Sequence, residues 1–323
     1  MLRIHFTSAD LLRVTIAERF DPLWEVLSSL YLLQERDSSL TFDYWRRRTR
    51  SLCPRAIPLL FELAPPKGYS PDFLTPGRGD TDFDTLLDRL LSTPRMRLQD
   101  DLAHLARQQP VSGWTQTLGT GDRHALSQLA KLVCAYHNVG ITPYRDQIHV
   151  WFKNDRVRRA DALLTGGTER LLSSLHPRVI WKPPVLQIMD YGGDFDLYLH
   201  GRGLVLLPSL FCRHHPVALR NADLPPVLAY PIHPGIAWLR DPEIATDPAA
   251  VLGHTRAAAL RSCLSECTTS DLARRIGLSV PAASRQASAL REAGLISSHR
   301  DGGSVIHHIT GLGIALLNGR IPG

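Results

Sequence analysis

The sequence predicts an α+β chain that is mostly helical and divides into two domains, residues 1–245 and 246–323. Three observations carry this expectation. The 323 residues exceed what one small domain uses and suit two. Apolar residues recur at helical spacing through the N-terminal half, and the period shortens to that of strands after Pro177. A second helical tract begins at Ala249 and is followed by a hairpin pattern.

A short strand is expected at Leu2–Phe6. Pro22 to Gln34 then sets Leu23, Val26, Leu27, Leu30 and Leu33 at helical spacing, with Asp21 as N-cap and Pro22 in the first turn. This stripe fits packing inside the chain or a dimer contact equally well. From Pro54 to Asp80, five further prolines and three glycines predict a meandering connector without long regular elements. Helical patterns resume at Phe83–Leu91, Leu98–Arg107 and His124–His137. A long helix after Pro143 should stop at Gly166-Gly167, with Thr168 capping a short successor. Val179–Trp181, Val185–Met189, Phe195–His200 and Leu204–Leu207 are short β-branched or aromatic runs. Pro183-Pro184, Tyr191-Gly-Gly-Asp194 and Gly201-Arg-Gly203 separate them, which predicts a small antiparallel sheet joined by turns. Asp241–Pro248 reads as a connector.

Composition excludes several classes. With 44% hydrophobic and 21% charged residues the chain is not of disordered type. The longest apolar stretch, Gly203–Cys212, contains Pro208 and falls short of the ~20 residues a membrane span needs, so no membrane partner is expected. The first residues alternate apolar with polar and lack the continuous apolar core of a secretory signal, which predicts a cytoplasmic protein. Five scattered cysteines without a CxxC pair predict reduced, mostly buried thiols. Only four of the 37 basic residues are lysines, so the net charge of +6 says less than its distribution. Residues 251–323 hold eight arginines (256, 261, 274, 275, 285, 291, 300 and 320) against Glu266, Asp271, Glu292 and Asp301, a balance of +4.

Within that basic segment the punctuation is dense. Thr268, three residues before Asp271, forms a capping-box start, and Leu272, Ala273 and Ile276 make an apolar stripe that Gly277 ends. Ser279 can cap a second helix whose first turn holds Pro281. If Ala283, Ala287 and Leu290 point inward, Pro281, Arg285, Ser288 and Glu292 turn outward, flanked by Ala282, Ser284 and Gln286. Small side chains around one forked guanidinium suit a helix that enters the DNA major groove and reads guanine. After Gly294, residues 295–299 and 304–310 can pair around the tight turn Arg300-Asp-Gly302-Gly303. The whole pattern is that of a C-terminal winged helix-turn-helix.

Thr268–Ile296, TTSDLARRIGLSVPAASRQASALREAGLI, resembles the ArsR/SmtB-type winged-helix repressors. The likeness covers about 70 residues from Ala249 onward. The first 240 or so resemble the long N-terminal extension of an actinobacterial-type branch of these regulators. The resemblance implies a homodimer on a palindromic operator in double-stranded DNA, repression, and release by an effector. It also implies base contacts at Ser279, Ala282, Ser284, Arg285 and Gln286, with Arg300 reaching a phosphate or the minor groove from the wing. Pro281 and Ser288 on the outward face, and Gly302 and Gly303 in the wing turn, complete the candidate DNA-binding set.

The likeness departs from the family's metal sensors. Ser270–Ile276 has no cysteine, and Gly311–Gly319 has neither His nor Asp, so no metal or cofactor is expected. Cys263 and Cys267, at i and i+4 on the preceding helix, and Cys212 with His214 or His215 have metal-binding chemistry. Two cysteines alone leave a zinc shell incomplete, and adjacent histidines on a strand point to opposite faces. The same geometry gives His307-His308 in the wing one packed and one outward face. Asp190, Asp194 and Asp196 read as turn residues rather than as calcium or magnesium ligands. No P-loop, G-x-S-x-G or H-E-x-x-H occurs, so the chain is not read as an enzyme. The alternative is an enzyme with an unrecognised site in the N-terminal domain and a winged-helix appendage. As a regulator, that domain would sense a small organic effector and dimerise. Trp24, Trp45, Trp114, Trp151 and Trp181, with neighbouring tyrosines, would either line an apolar pocket or form core.

Overall fold

The computed structural model describes residues 1–35, 42–213, 215–221, 224–232, 252–264, 267–301 and 304–317. Contacts gather the chain into two units, Met1–Ser38 with Arg46–His233, and Ser39–Trp45 with Pro234–Gly323. The boundary expected between residues 245 and 246 lies outside the described residues. The fold is α+β and mostly helical, with small sheets that contain antiparallel strands.

The N-terminal unit opens with β1 (Leu2–His5), α1 (Ser8–Leu11) and β2 (Val14–Ile16). At α2 (Pro22–Gln34) the Asp21 carboxylate accepts hydrogen bonds from the backbone N–H groups of Leu23 and Trp24 at 3.0 and 3.1 Å, and Pro22 takes the first turn. From Pro22 to Leu33 every residue but Tyr31 is buried. A helix covered on all sides by its own chain is a central element, which removes it as a dimer contact. Burial all round also brings polar groups inside. The Glu25 carboxylate accepts hydrogen bonds from Ser209 Oγ (3.0 Å) and from the backbone N–H groups of Leu210 (2.9 Å) and Phe211 (3.1 Å).

Burial pushes the Glu25 pKa from its ordinary 4.5 up to about 7, against the pull of those three donors. The folded protein therefore keeps a proton that the unfolded chain releases above pH 4.5. Stability should fall as pH rises from 4.5 to about 7. Urea denaturation of Glu25→Gln should show that part of the pH dependence flattened. An unchanged slope would contradict the assignment.

After α3 (Asp43–Leu52), the proline-rich stretch is more regular than expected, with α4 (Ile57–Leu63) and a 3-10 turn at Asp72–Leu74. Pro58 stands in the first turn of α4, where its missing N–H has no helical partner, so it starts a helix instead of breaking one. Next come α5 (Phe83–Leu91), α6 (Arg95–Gln108), α7 (Gly113–Gly119) and α8 (Arg123–Gly140), and then α9 (Arg145–Ser173). The backbone of α9 leaves helical geometry at Gly166 and Gly167, where Gly167 has φ +62°. Thr168, the expected cap of the segment beyond, sends its hydroxyl to the Leu11 carbonyl at 3.5 Å. Within α9, Asp155 is completely buried. It pairs with Arg159 at 3.1 Å and accepts the Tyr230 hydroxyl at 2.5 Å.

The strands after Pro177 do not form one antiparallel sheet. β3 (Val179–Lys182) and β4 (Val185–Ile188) pair antiparallel, but β5 (Phe195–Tyr198) runs parallel to β1, which separates it from β4 in the order β3-β4-β1-β5. Tyr191-Gly-Gly-Asp194 is therefore a crossing over β1 and not a hairpin turn. Arg3 on β1 holds Asp194 and Asp196 at 3.3 and 2.8 Å, which engages the carboxylates that had metal-ligand chemistry. β6 (Leu204–Ser209) leaves this sheet altogether. It lies between β2 and β8 (Val227–Pro231), parallel to both, with β7 (Val217–Ala218) antiparallel to β8. Gly201 and Gly203, at φ +80° and +75°, make the turn that redirects the chain. The Asp10 carboxylate accepts the Gly203 N–H at 2.9 Å, and a Cβ on Gly203 would meet the Arg13 carbonyl at 2.3 Å.

Candidate nucleic-acid interface

The C-terminal unit is built from short, alanine-rich helices. Residues 249–251, where the helical tract was expected to begin, lie outside the described residues. α10 spans His254–Ser262, and Cys267–Thr268 forms β9. At α11 (Thr269–Ile276) the capping box is closed in both directions. Thr268 Oγ1 accepts from the Asp271 N–H at 3.1 Å, and the Asp271 carboxylate accepts from the Thr268 N–H at 3.2 Å. Gly277 ends the helix at φ +67°, and the Leu278 N–H returns to the Ala273 carbonyl at 2.9 Å.

α12 (Val280–Glu292) follows with Ser279 at its N-cap position and Pro281 in its first turn. The Ser279 side chain makes no cap hydrogen bond, contrary to expectation, so its exposed hydroxyl is not engaged with the helix start. Ala283, Ala287 and Leu290 are buried with Ala259, Leu260, Leu272, Ala273, Leu295 and Ile296 in one core. Methyl-sized side chains let the helices approach closely, and this packing fixes the rotation of α12 about its axis. Pro281, Ser284 and Arg285 are consequently exposed, and Ala282, Gln286 and Ser288 are half-buried beside them. Of the four residues expected to point outward, Pro281, Arg285 and Glu292 are exposed and Ser288 is half-buried. Arg274 and Arg275 of α11 and Val280 at the start of α12 are exposed as well.

β10 (Ile296–Asp301) and β11 (Ser304–Ile309) form the wing, antiparallel from Ile296 opposite Ile309 to Asp301 opposite Ser304. β9 pairs with β11 on the other side. Arg300 is exposed opposite Val305, and Gly302 and Gly303 lie outside the described residues. His307 is buried between Ser298 Oγ (2.8 Å from Nδ1) and Thr269 Oγ1 (3.0 Å from Nε2), tying the wing to the first turn of α11. Burial and the nearby Arg291 hold its pKa below the ordinary value, so at neutral pH this link is uncharged. The His308 ring stacks on His299 with centroids 5.0 Å apart.

Residues 258–298 match the bacterial regulatory protein, arsR family. They are an ArsR-family helix-turn-helix domain. No curated protein and no solved structure matches the chain. The chain thus carries the DNA-binding domain of a transcription regulator at its C-terminal end, behind some 250 residues that the ArsR-family match does not reach.

The cysteines near this ArsR-family domain are arranged differently from the expectation. α10 ends at Ser262, Cys263 is its C-cap and Cys267 begins β9, so the two do not share a helix. Their sulfurs nevertheless approach to 3.9 Å in the buried core. Cys212 is buried and free, its thiol directed to the His215 carbonyl at 3.3 Å, while His214 lies outside the described residues. Among the described residues no group of three or more His, Cys, Asp or Glu could hold a metal ion, and no helix is long and apolar enough to cross a membrane.

The N-terminal unit contains a cavity of about 660 Å3 between α2, the 65–75 segment, α6 and the ends of β5 and β7. Of the five tryptophans read as either pocket lining or core, only Trp24 lines it. Trp114 instead bonds Gln128 at 2.9 Å, and Trp181 packs edge-on against Phe6. The other aromatic walls are Tyr31, Tyr69, Tyr191, Phe195 and Phe211.

Proposed function

We propose that the protein is a homodimeric transcriptional repressor. It binds a palindromic operator through α12 and the wing, and a small organic molecule in the N-terminal unit modulates its operator affinity. The observation that carries this reading is the exposed face of α12, where Arg285 stands among Pro281, Ala282 and Ser284 on a helix held by buried alanines. A face this low lets the backbone approach base edges closely, and the guanidinium can take guanine O6 and N7 together. Ser279, Ala282, Ser284, Arg285 and Gln286 are the base-reading set, with Pro281 and Ser288 at its border. Arg300, Gly302 and Gly303 bring the wing to the backbone or minor groove. Such a protein works in the cytoplasm, on the DNA.

Residues 1–245 would serve sensing and dimerisation, and 246–323 DNA binding. The cavity in the N-terminal unit supports the first role, since its volume falls in the range of small-molecule sites. A ligand there regulates only if it binds the DNA-competent and the released arrangements with different affinity.

Footprinting on DNA from upstream of the gene tests this reading. Two protected half-sites with centres about 34–36 Å apart, or a multiple of that, are expected of a two-fold dimer. A single half-site would exclude the dimeric arrangement, and no protection at any concentration would remove the operator. Arg300→Ala should weaken binding to operator and to random DNA alike and reduce the salt slope by about one. A loss confined to the operator would move Arg300 into the base-reading set.

A further inference from the structure

The walls of the N-terminal cavity specify the charge of what it holds. Six aromatic rings, those of Trp24, Tyr31, Tyr69, Tyr191, Phe195 and Phe211, face one space. Charged groups are also present, and apart from the exposed Lys67 those among the described residues have partners within the protein. The buried Asp72 carboxylate accepts the backbone N–H groups of Asn221 and Arg220 at 2.6 and 3.2 Å. Asp196 is held by Arg3 Nε and Nη2, each at 2.8 Å, and by His5 at 2.7 Å. Asp190 faces Arg178 at 3.6 Å, and Arg220 reaches Asp100 at 3.5 Å while lying over the Tyr69 ring. Glu35 and Arg213 have interaction partners of their own, and Lys67 is exposed at the rim.

The imidazoles are engaged as well. His104 lies between Gln108 (3.0 Å) and Arg107 (3.1 Å), and burial lowers its pKa so that it is neutral at pH 7. His215 faces the Pro216 carbonyl at 3.2 Å. An ionic ligand would lose its hydration among these rings, where the charged side chains other than Lys67 at the rim already have protein partners, a cost that an uncharged one avoids.

Hydrogen-bonding capacity does remain. Tyr31 donates to Ser70 Oγ at 2.7 Å, which leaves the Ser70 hydrogen and the Tyr31 lone pairs for a guest. Tyr191 accepts the Ala218 N–H at 3.4 Å and keeps its own hydrogen to donate. Burial pushes the Tyr191 phenol up to about 12, so it remains a donor at neutral pH.

We infer that the cavity binds an uncharged aromatic molecule bearing a hydroxyl or carbonyl group, held by ring contacts and by the Tyr31–Ser70 and Tyr191 hydroxyls. This rests on reading the cavity as the effector site. A matched series tests it on the full chain: 1-pyrenemethanol, 1-pyrenecarboxylate and 1-pyrenemethylammonium share one ring system and differ in charge. Titration followed by pyrene fluorescence and calorimetry should show the alcohol binding one to one, at least tenfold tighter than either ion.

Tyr31→Phe, which keeps the ring, should weaken the alcohol five- to tenfold, and Ala218→Trp should fill the cavity and abolish binding. Should Ala218→Trp fail to fold, Tyr31→Phe carries the test. Equal or tighter binding of either ion, no binding of any probe, or undiminished affinity in the variants would overturn the inference. Binding with the expected preference but no change in operator affinity would uphold the ligand class and sink the effector role instead.

Discussion

Arg285→Ala is expected to weaken operator binding by about 1–3 kcal/mol and to relax sequence preference at the base pair it reads. The expectation follows from how α12 is held. Ala283, Ala287 and Leu290 lie in the core, so Arg285 is turned away from it and exposed. A long side chain on a low face reaches further than its neighbours, and a bidentate contact to guanine discriminates against the other bases by its geometry. Random DNA offers the same phosphates without that guanine, so its affinity should change far less. Competition titrations with operator and scrambled fragments separate the two. Equal losses on both would show Arg285 to be a backbone contact and would move the reading of sequence elsewhere on the helix.

Asp155→Ala should cost about 3–5 kcal/mol of stability, the usual consequence of removing one partner from a buried ion pair. The carboxylate has no solvent exposure, and the Arg159 side chain only 11%. Its removal leaves that guanidinium without its counter-ion and strips the Tyr230 hydroxyl of its acceptor, at the junction of α9 with β8. Arg158, which also reaches Asp155, is 60% exposed and can turn to water, so its share is small. Urea denaturation followed by tryptophan fluorescence should show a lower midpoint in Asp155→Ala, with Asp155→Asn recovering part of it. A loss below about 1 kcal/mol would mean that the site relaxes or admits water.

Local chemistry was legible in the sequence wherever a few neighbouring residues decide it. Asp21-Pro22 starts a buried helix, Thr268 and Asp271 close a capping box, Gly277 adopts the left-handed turn, and the two wing strands pair from Ile296 to Ile309. The exposed face of α12 followed from the spacing of three apolar residues. What failed was long-range. No local pattern tells β5 to pair with a strand some 190 residues earlier, or β6 to join a different sheet, because both choices depend on contacts formed only when the chain has collapsed. Pro58 was read as a breaker because its place in the first turn of α4 was not recognised. The walls of the cavity were legible only in part for a similar reason. Aromatic content suggests tryptophans with neighbouring tyrosines, yet of the five tryptophans only Trp24 joins the tyrosines of α2, of the 65–75 segment and of the crossing before β5 in the cavity wall.

Sequence-specific DNA recognition by the C-terminal domain is the claim on which the rest depends. Fluorescence anisotropy of the full chain on DNA from upstream of its gene, beside a scrambled fragment and at two salt concentrations, tests it most directly. Base-reading contacts require a preference for the upstream fragment that survives the higher salt, since phosphate contacts weaken steeply with salt and do not distinguish the two. Equal binding to both fragments, abolished by salt, would contradict it and reduce the arginines of this unit to a non-specific surface.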